Sequence, residues 1–207
     1  MTDSTLNQRR LLRQTLRAKR RRLSAAAQKQ AARQLCRQIR QQPWFLRCRR
    51  IAVYLANDGE ISPDQLVCMA KKMGKQIYLP VLHPAHKGRL WFVRYQASTP
   101  MQKNRFGIAE PTLKGYGHLK GYRCPASLLD LVLMPLVGFT ARGERLGMGG
   151  GFYDRTFEQN SAGFHRPLLI GLAHECQRVE HLPVADWDVP LAGILTPLHL
   201  YQVNKTL

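Results

Sequence analysis

The chain has 207 residues, 44% hydrophobic and 22% charged, figures that suit a globular protein and exclude a disordered or fibrous one. That length suits one domain, or one with a small addition, and buries about two thirds of the unfolded surface without disulfides. Lys and Arg number 32 against 13 acids, and the longest apolar run, Leu128 to Phe139, contains Asp130 and is too short to span a membrane.

The positive charge sits at the start: residues 1–50 hold 15 bases and one acid, Asp3. This stretch reads as two helices. Leu12, Leu16 and Leu23 form an apolar stripe, with Arg9, Arg13, Arg17 and Arg20 as a cationic stripe beside it. Ser24 can cap a second helix with Ala31, Leu35 and Ile39 on one face, ending before Pro43. Residues 1–42 are thus expected to be a basic helical segment packing on the rest of a single domain, 1–207.

Beyond it the pattern changes. Ile51 to Leu55 reads as a strand, Ser62-Pro63-Asp64 as a helix start and Gly74 as its stop. Gln76 to Leu82 and Leu90 to Tyr95 are further strands. Residues 96–127, rich in Gly, Pro, Lys and Tyr, read as loops with a short element or two. Leu131 to Leu136 is a buried strand, Gly151 to Gln159 a helix, and Leu168 to Ala173 and Ala192 to Leu195 two more strands. Strands alternating with helices predict a Rossmann-like α/β fold with a largely parallel sheet.

Five cysteines, Cys36, Cys48, Cys68, Cys124 and Cys176, include no C-x-x-C pair. A disulfide framework and a cysteine zinc site are therefore not expected, and reduced thiols fit a cytoplasmic protein. No apolar segment of a secretory signal follows the first basic residues.

The stretch from Leu131 to Phe157 carries the most chemistry. A buried strand leads to Arg142 and Arg145, then to Gly147, Gly149, Gly150 and Gly151, then to a helix with Asp154 in its first turn. Glycines let backbone N–H groups face a phosphate, a helix N-terminus adds positive potential, and arginines neutralise phosphate oxygens. A carboxylate at that edge can hold Mg²⁺. The structural alternative is a tight turn with Asp154 on the helix dipole. Neither the Walker A pattern nor the dinucleotide fingerprint is present.

Other candidates are weaker. Glu60 follows a strand in Asn57-Asp58-Gly59-Glu60, either as a turn acid or as a carboxylate accepting hydrogen bonds from a heterocycle. Asp186 and Asp188 flank Trp187, as surface acids or as partners of Asp154 in a hard-metal site. The arginine stripe has three readings: a solvated face, a nucleic-acid contact, or a phosphate clamp over the glycine loop. The histidines do not cluster, and His174-Glu175-Cys176 matches nothing catalytic.

Several motifs together resemble the 5-formyltetrahydrofolate cyclo-ligase family. Arg145-Leu-Gly-Met-Gly-Gly-Gly-Phe-Tyr-Asp154 is similar to its signature, and Arg9-Arg-Leu-Leu-Arg13 to its K-x-x-L-R motif, with Arg20 and Leu23-Ser24 following. Leu55 with Glu60, Gly107 to Pro111, Glu180 to Asp188 and Ile194 to Thr196 fall in the matching order. The resemblance implies ring closure of 5-formyltetrahydrofolate to 5,10-methenyltetrahydrofolate with Mg-ATP. It implies ATP contacts at Arg9, Arg13, Arg145, Gly147, Met148, Gly149, Gly150, Gly151, Phe152 and Tyr153. Folate contacts would be Leu55, Glu60 and Tyr153; Mg²⁺ ligands Asp154 and Asp188; and Glu60, Arg145 and Tyr153 the catalytic set. Arg9 stands where the family has Lys, Gly150 where some members have Lys, and Phe152 where Tyr is common. The expected protein is a monomer with a reduced folate, possibly polyglutamylated, as its partner, no membrane, and nucleic acid as the second choice.

Overall fold

The computed structural model describes residues 3–113, 122–158, 166–185 and 187–203. Its first helix, α1 (Asp3–Arg21), gives way to α2 (Ala25–Arg40) at Ser24, whose hydroxyl accepts the Ala27 N–H at 3.2 Å. That bond satisfies one of the amide groups that a helix start leaves without a partner. The expected face of Ala31, Leu35 and Ile39 is buried. α2 ends before Pro43 as expected, and Pro43 opens a short helix, α3 (Pro43–Arg47), because its fixed φ suits a first helical turn.

The rest alternates as expected: β1 (Arg50–Ala52), α4 (Asp64–Lys72), β2 (Gln76–Leu82), β3 (Leu90–Arg94), β4 (Met101–Lys103), β5 (Ala109–Pro111), β6 (Arg123–Cys124), β7 (Leu131–Pro135), β8 (Gly138–Phe139), β9 (Arg145–Leu146), α5 (Phe152–Phe157), β10 (Leu168–Leu172), β11 (Gly193–Leu195) and β12 (Leu200–Gln202). The main sheet runs β12-β11-β10-β7-β1-β2-β3-β6. β11, β10, β7, β1 and β2 are parallel, while β12, β3 and β6 add antiparallel edges. From β1 the chain first adds β2 on one side, then returns to add β7, β10 and β11 on the other. This reversal opens a crevice beyond the carboxyl ends of β1 and β7, where ligands bind in doubly wound sheets.

Alternate strand residues serve two cores. Ile51, Leu131, Leu133 and Ile170 pack with Leu35, Ile39, Leu66 and Ala70 of α2 and α4. Ala52, Val132, Met134 and Leu169 pack on the other face with Phe157 of α5. α1 lies across the carboxyl ends, touching β8 and the turn at Glu175–Gln177 after β10. Buried Leu16 fits so closely over Gly138 that a Cβ there would overlap Leu16 Cδ1.

The largest boundary shift from the sequence reading is at β1, while the short elements expected between 96 and 127 are present. β1 stops at Ala52 rather than Leu55: Val53 N–H still reaches Tyr78 O on β2 at 2.9 Å, but the strand has left β7. α5 covers Phe152–Phe157, and Gln159 lies outside the described residues. Between 96 and 127 the chain makes the β4–β5 hairpin and β6.

Candidate active site

One side of the crevice is built after β1. Asp58 and Gly59 both take left-handed backbone, with φ 54° and 75°. Gly59 has no alternative: a Cβ there would lie 3.3 Å from the α1 backbone at Arg20 and Arg21. The turn presents Asp58 to α1, where Arg17 bonds it at 2.6 Å and Arg20 at 2.9 Å, and Arg21 joins them. Burial alone would push the Asp58 carboxyl up, but the bonds from Arg17, Arg21 and Arg20 prevail and hold it below the usual range. Glu60 follows, with its side chain 11% exposed, accepting Asn57 N–H at 3.1 Å and facing Arg20 at 3.6 Å. Burial pushes the Glu60 carboxyl above its ordinary value despite Arg20. Leu55 lies half-buried against the first core.

The other side is built after β7. The β8–β9 hairpin carries Arg145 into the interior, where its guanidinium pairs with Asp154 and its Nε donates to Val189 O at 3.3 Å. Asp154 Oδ1 also accepts the Val189 N–H at 3.1 Å. Gly149 (φ 95°) and Gly151 (φ 60°) bend the loop between them. Among the described residues, the N–H groups of Met148, Gly149 and Gly150 have no intramolecular partner, and these three residues are exposed.

α1 closes this side too. Arg13 Nε donates to Gly147 O at 2.8 Å, and its guanidinium lies against Gly149. Arg9 forks onto Asp188 at 3.0 and 3.2 Å and also donates to Pro183 O at 2.8 Å. Burial, then the like charge of Arg9, lowers the Arg13 pKa while Asp188 opposes. Cations outweigh acids here, as a polyanion site requires. Tyr153, partly buried on α5, lies within electrostatic reach of both sides: burial and then the Glu60 charge raise its pKa, and Arg145 lowers it.

The arginine stripe thus faces the crevice, and the solvated-face reading fails for Arg9, Arg13 and Arg20. Phe152 packs edge-on against Phe106 at 5.7 Å. Asp154 and Asp188 are each committed to an arginine, and Asp186 lies outside the described residues. Glu110 of the Gly107–Pro111 stretch is a buried tie, accepting Leu82 N–H at 3.1 Å and Asn104 at 3.2 Å. All five cysteines are unpaired, and among the described residues no helix is long and apolar enough to cross a membrane.

A family model described as the 5-formyltetrahydrofolate cyclo-ligase family matches residues 5–197. The chain belongs to that family. Its members named 5-formyltetrahydrofolate cyclo-ligase include one from Escherichia coli (strain K12), 38% identical over 187 residues, covering 90% of this chain and 99% of the relative. Another, from Haemophilus influenzae, is 48% identical over 149 residues, covering 71% of this chain and 75% of the relative. An NMR structure of 5,10-methenyltetrahydrofolate synthetase from Aquifex aeolicus superposes with a TM-score of 0.78 at 25% identity, covering 96% of this chain and 94% of that one. The chain is therefore a ligase of the cyclo-ligase family with that family's fold.

Sequence reasoning missed three polar residues of this cyclo-ligase crevice. Asp58, read as half of a turn pair, anchors three arginines. Gln177 donates to Leu136 O at 2.7 Å and Val137 O at 3.0 Å, fixing the exit from β7. His174, 3% exposed, has an unpartnered Nε2 among the described residues. A basic stretch with Asp3 as its one acid, followed by a lone Asp-Gly, was the one available signal for Asp58.

Proposed function

We propose that this chain closes the ring of 5-formyltetrahydrofolate to 5,10-methenyltetrahydrofolate, consuming ATP and releasing ADP and phosphate. The observation that carries it is the convergence of Arg9, Arg13 and Arg145 with an open-amide glycine loop, opposite Glu60, across one crevice. Cations and free N–H groups suit a triphosphate. A buried carboxylate suits the N–H edge of a pterin.

A formyl oxygen is a poor leaving group, so the reaction needs activation. The formyl oxygen attacks the γ-phosphorus, the bond to the β-phosphate oxygen breaks, and ADP leaves. N10 then bonds to the activated carbon, the C–O bond breaks, phosphate departs and N10 loses its proton. The protein aligns the reactants and offsets charge on the phosphoryl group. Arg13, Arg145 and Gly147–Gly151 hold the phosphates, with Arg9 beside them; Leu55, Glu60 and Tyr153 orient the folate. Asp154 fits Mg²⁺ better than Asp188 does. Both bonds to Asp154 fall on Oδ1, whereas both Asp188 oxygens are engaged by Arg9 and the Ala185 N–H. Mg²⁺ there would supply further charge neutralisation.

Nucleic-acid binding would fall to outward bases such as Lys19 and Arg22, and no observation favours it. The test is the absorbance of the methenyl product with and without Mg-ATP. Turnover that requires both and is lost in Asp154→Asn or Glu60→Gln supports the reading; turnover without ATP sinks it.

A further inference from the structure

Arg20 is a wholly buried side chain, 0% exposed, yet it touches neither the glycine loop nor Arg9's partners. Its Nε donates to Asp58 O at 2.8 Å and its Nη1 to Leu136 O at 3.1 Å. Its Nη2 stands between two carboxylates, 2.9 Å from Asp58 and 3.6 Å from Glu60 Oε1. The backbone around it is also tied, since Gln28 donates to Arg20 O at 3.4 Å and to Gly59 O at 3.2 Å. The guanidinium has no freedom to follow a ligand.

Glu60 Oε2 accepts the Asn57 N–H, while among the described residues Oε1 accepts no hydrogen bond and has Arg20 as its charged neighbour within 4 Å. At 3.6 Å the guanidinium neutralises Oε1 without a short hydrogen bond that would compete with a ligand. We propose that Arg20 is a positioning residue for the cyclo-ligase reaction, holding the Glu60 carboxylate in place, ionised and with Oε1 open to the substrate ring. This rests on the reading of Glu60 as the folate contact.

Without a cation, a buried carboxylate beside Asp58 would take up a proton, and a protonated carboxyl loses part of its accepting capacity. The other groups facing Glu60 are Arg17 on α1, Asp58 in its own loop, Tyr54 after β1 and Tyr153 on α5, with His174 across Gly59. Both tyrosines are shifted upward, Asp58 downward, and His174 down to about 4. Of this set, Glu60 is the carboxyl that burial pushes up and Arg20 pulls back down, and a profile run from about pH 5.5 to pH 8.5 reads that balance.

The test uses the full chain and kcat/KM for 5-formyltetrahydrofolate across that pH range. Arg20→Met should lose roughly tenfold more activity at pH 6 than at pH 8.5, relative to the parent. Arg20→Lys should restore most of the low-pH activity, with KM for ATP changed by less than about twofold in both variants. A folded Arg20→Met protein that loses the same factor at every pH overturns the proposal, leaving Arg20 a merely structural residue. If Arg20→Met does not fold, Asp58→Asn decides. It removes a like charge beside Glu60, so the acid limb should move to lower pH; a uniform loss, or a move to higher pH, overturns the proposal. Glu60→Gln with the parent's KM and pH profile would instead refute the underlying folate reading.

Discussion

Arg9→Ala isolates one buried charge. The Arg9 and Asp188 side chains are 6% and 9% exposed, and the fork between them is two-pronged. Removing one partner of a buried ion pair costs about 3–5 kcal/mol, because the other charge stays buried without compensation. Asp188 keeps the Ala185 N–H at 3.0 Å and feels Arg13, which points to the lower end, about 3 kcal/mol. For a chain of this size that corresponds to a fall in Tm of about 6–12 °C. Arg9→Lys keeps the charge but not the fork and should fall between the parent and Arg9→Ala. Adding Asp188→Ala to Arg9→Ala should recover part of the loss, since no unpaired charge remains. Thermal unfolding followed by circular dichroism measures all of this. An Arg9→Ala protein melting within about 2 °C of the parent at pH 7.5 refutes the reasoning.

Burial, then the charge of Arg20, lowers His174 to about 4, below its ordinary 6.5. Between those values the unfolded chain binds a proton that the folded one does not, so stability falls as pH drops through that window. His174→Leu should flatten that stretch of the Tm profile, and an unchanged slope counts against it. Gly138→Ala should cost about 1–3 kcal/mol by driving a methyl into Leu16, and Leu16→Ala in the same chain should make room. Urea unfolding should then show a double variant less destabilised than the two single losses added together.

The elements that announce themselves by periodicity were legible. The Ala31/Leu35/Ile39 face, the Ser24 cap and the buried strand at Leu131 all rest on local rules. Short pieces were not. β8 and β9 have two residues each and exist because Val137 N–H bonds Leu146 O at 2.7 Å, a pairing no local pattern encodes. The bend of the glycine loop beside its arginines was legible because glycine content and flanking arginines are local. The direction of the arginine stripe was not, since a charge run on a helix looks alike whether it faces solvent or a crevice. What turned it inward was one left-handed aspartate, Asp58, and the closeness that Gly59 allows.

The placement of α1 also bears on the order of assembly. α1 docks on parts that are synthesised much later than it is: Arg20 meets Leu136 across 116 residues, Arg13 meets Gly147 across 134, and Arg9 meets Asp188 across 179. Those separations make α1 docking a late, non-local event during chain growth. A nascent chain that has not reached Asp188 can form most of the sheet, but it cannot close the Arg9 fork. The crevice is therefore completed only when α1 meets the segment around Asp188.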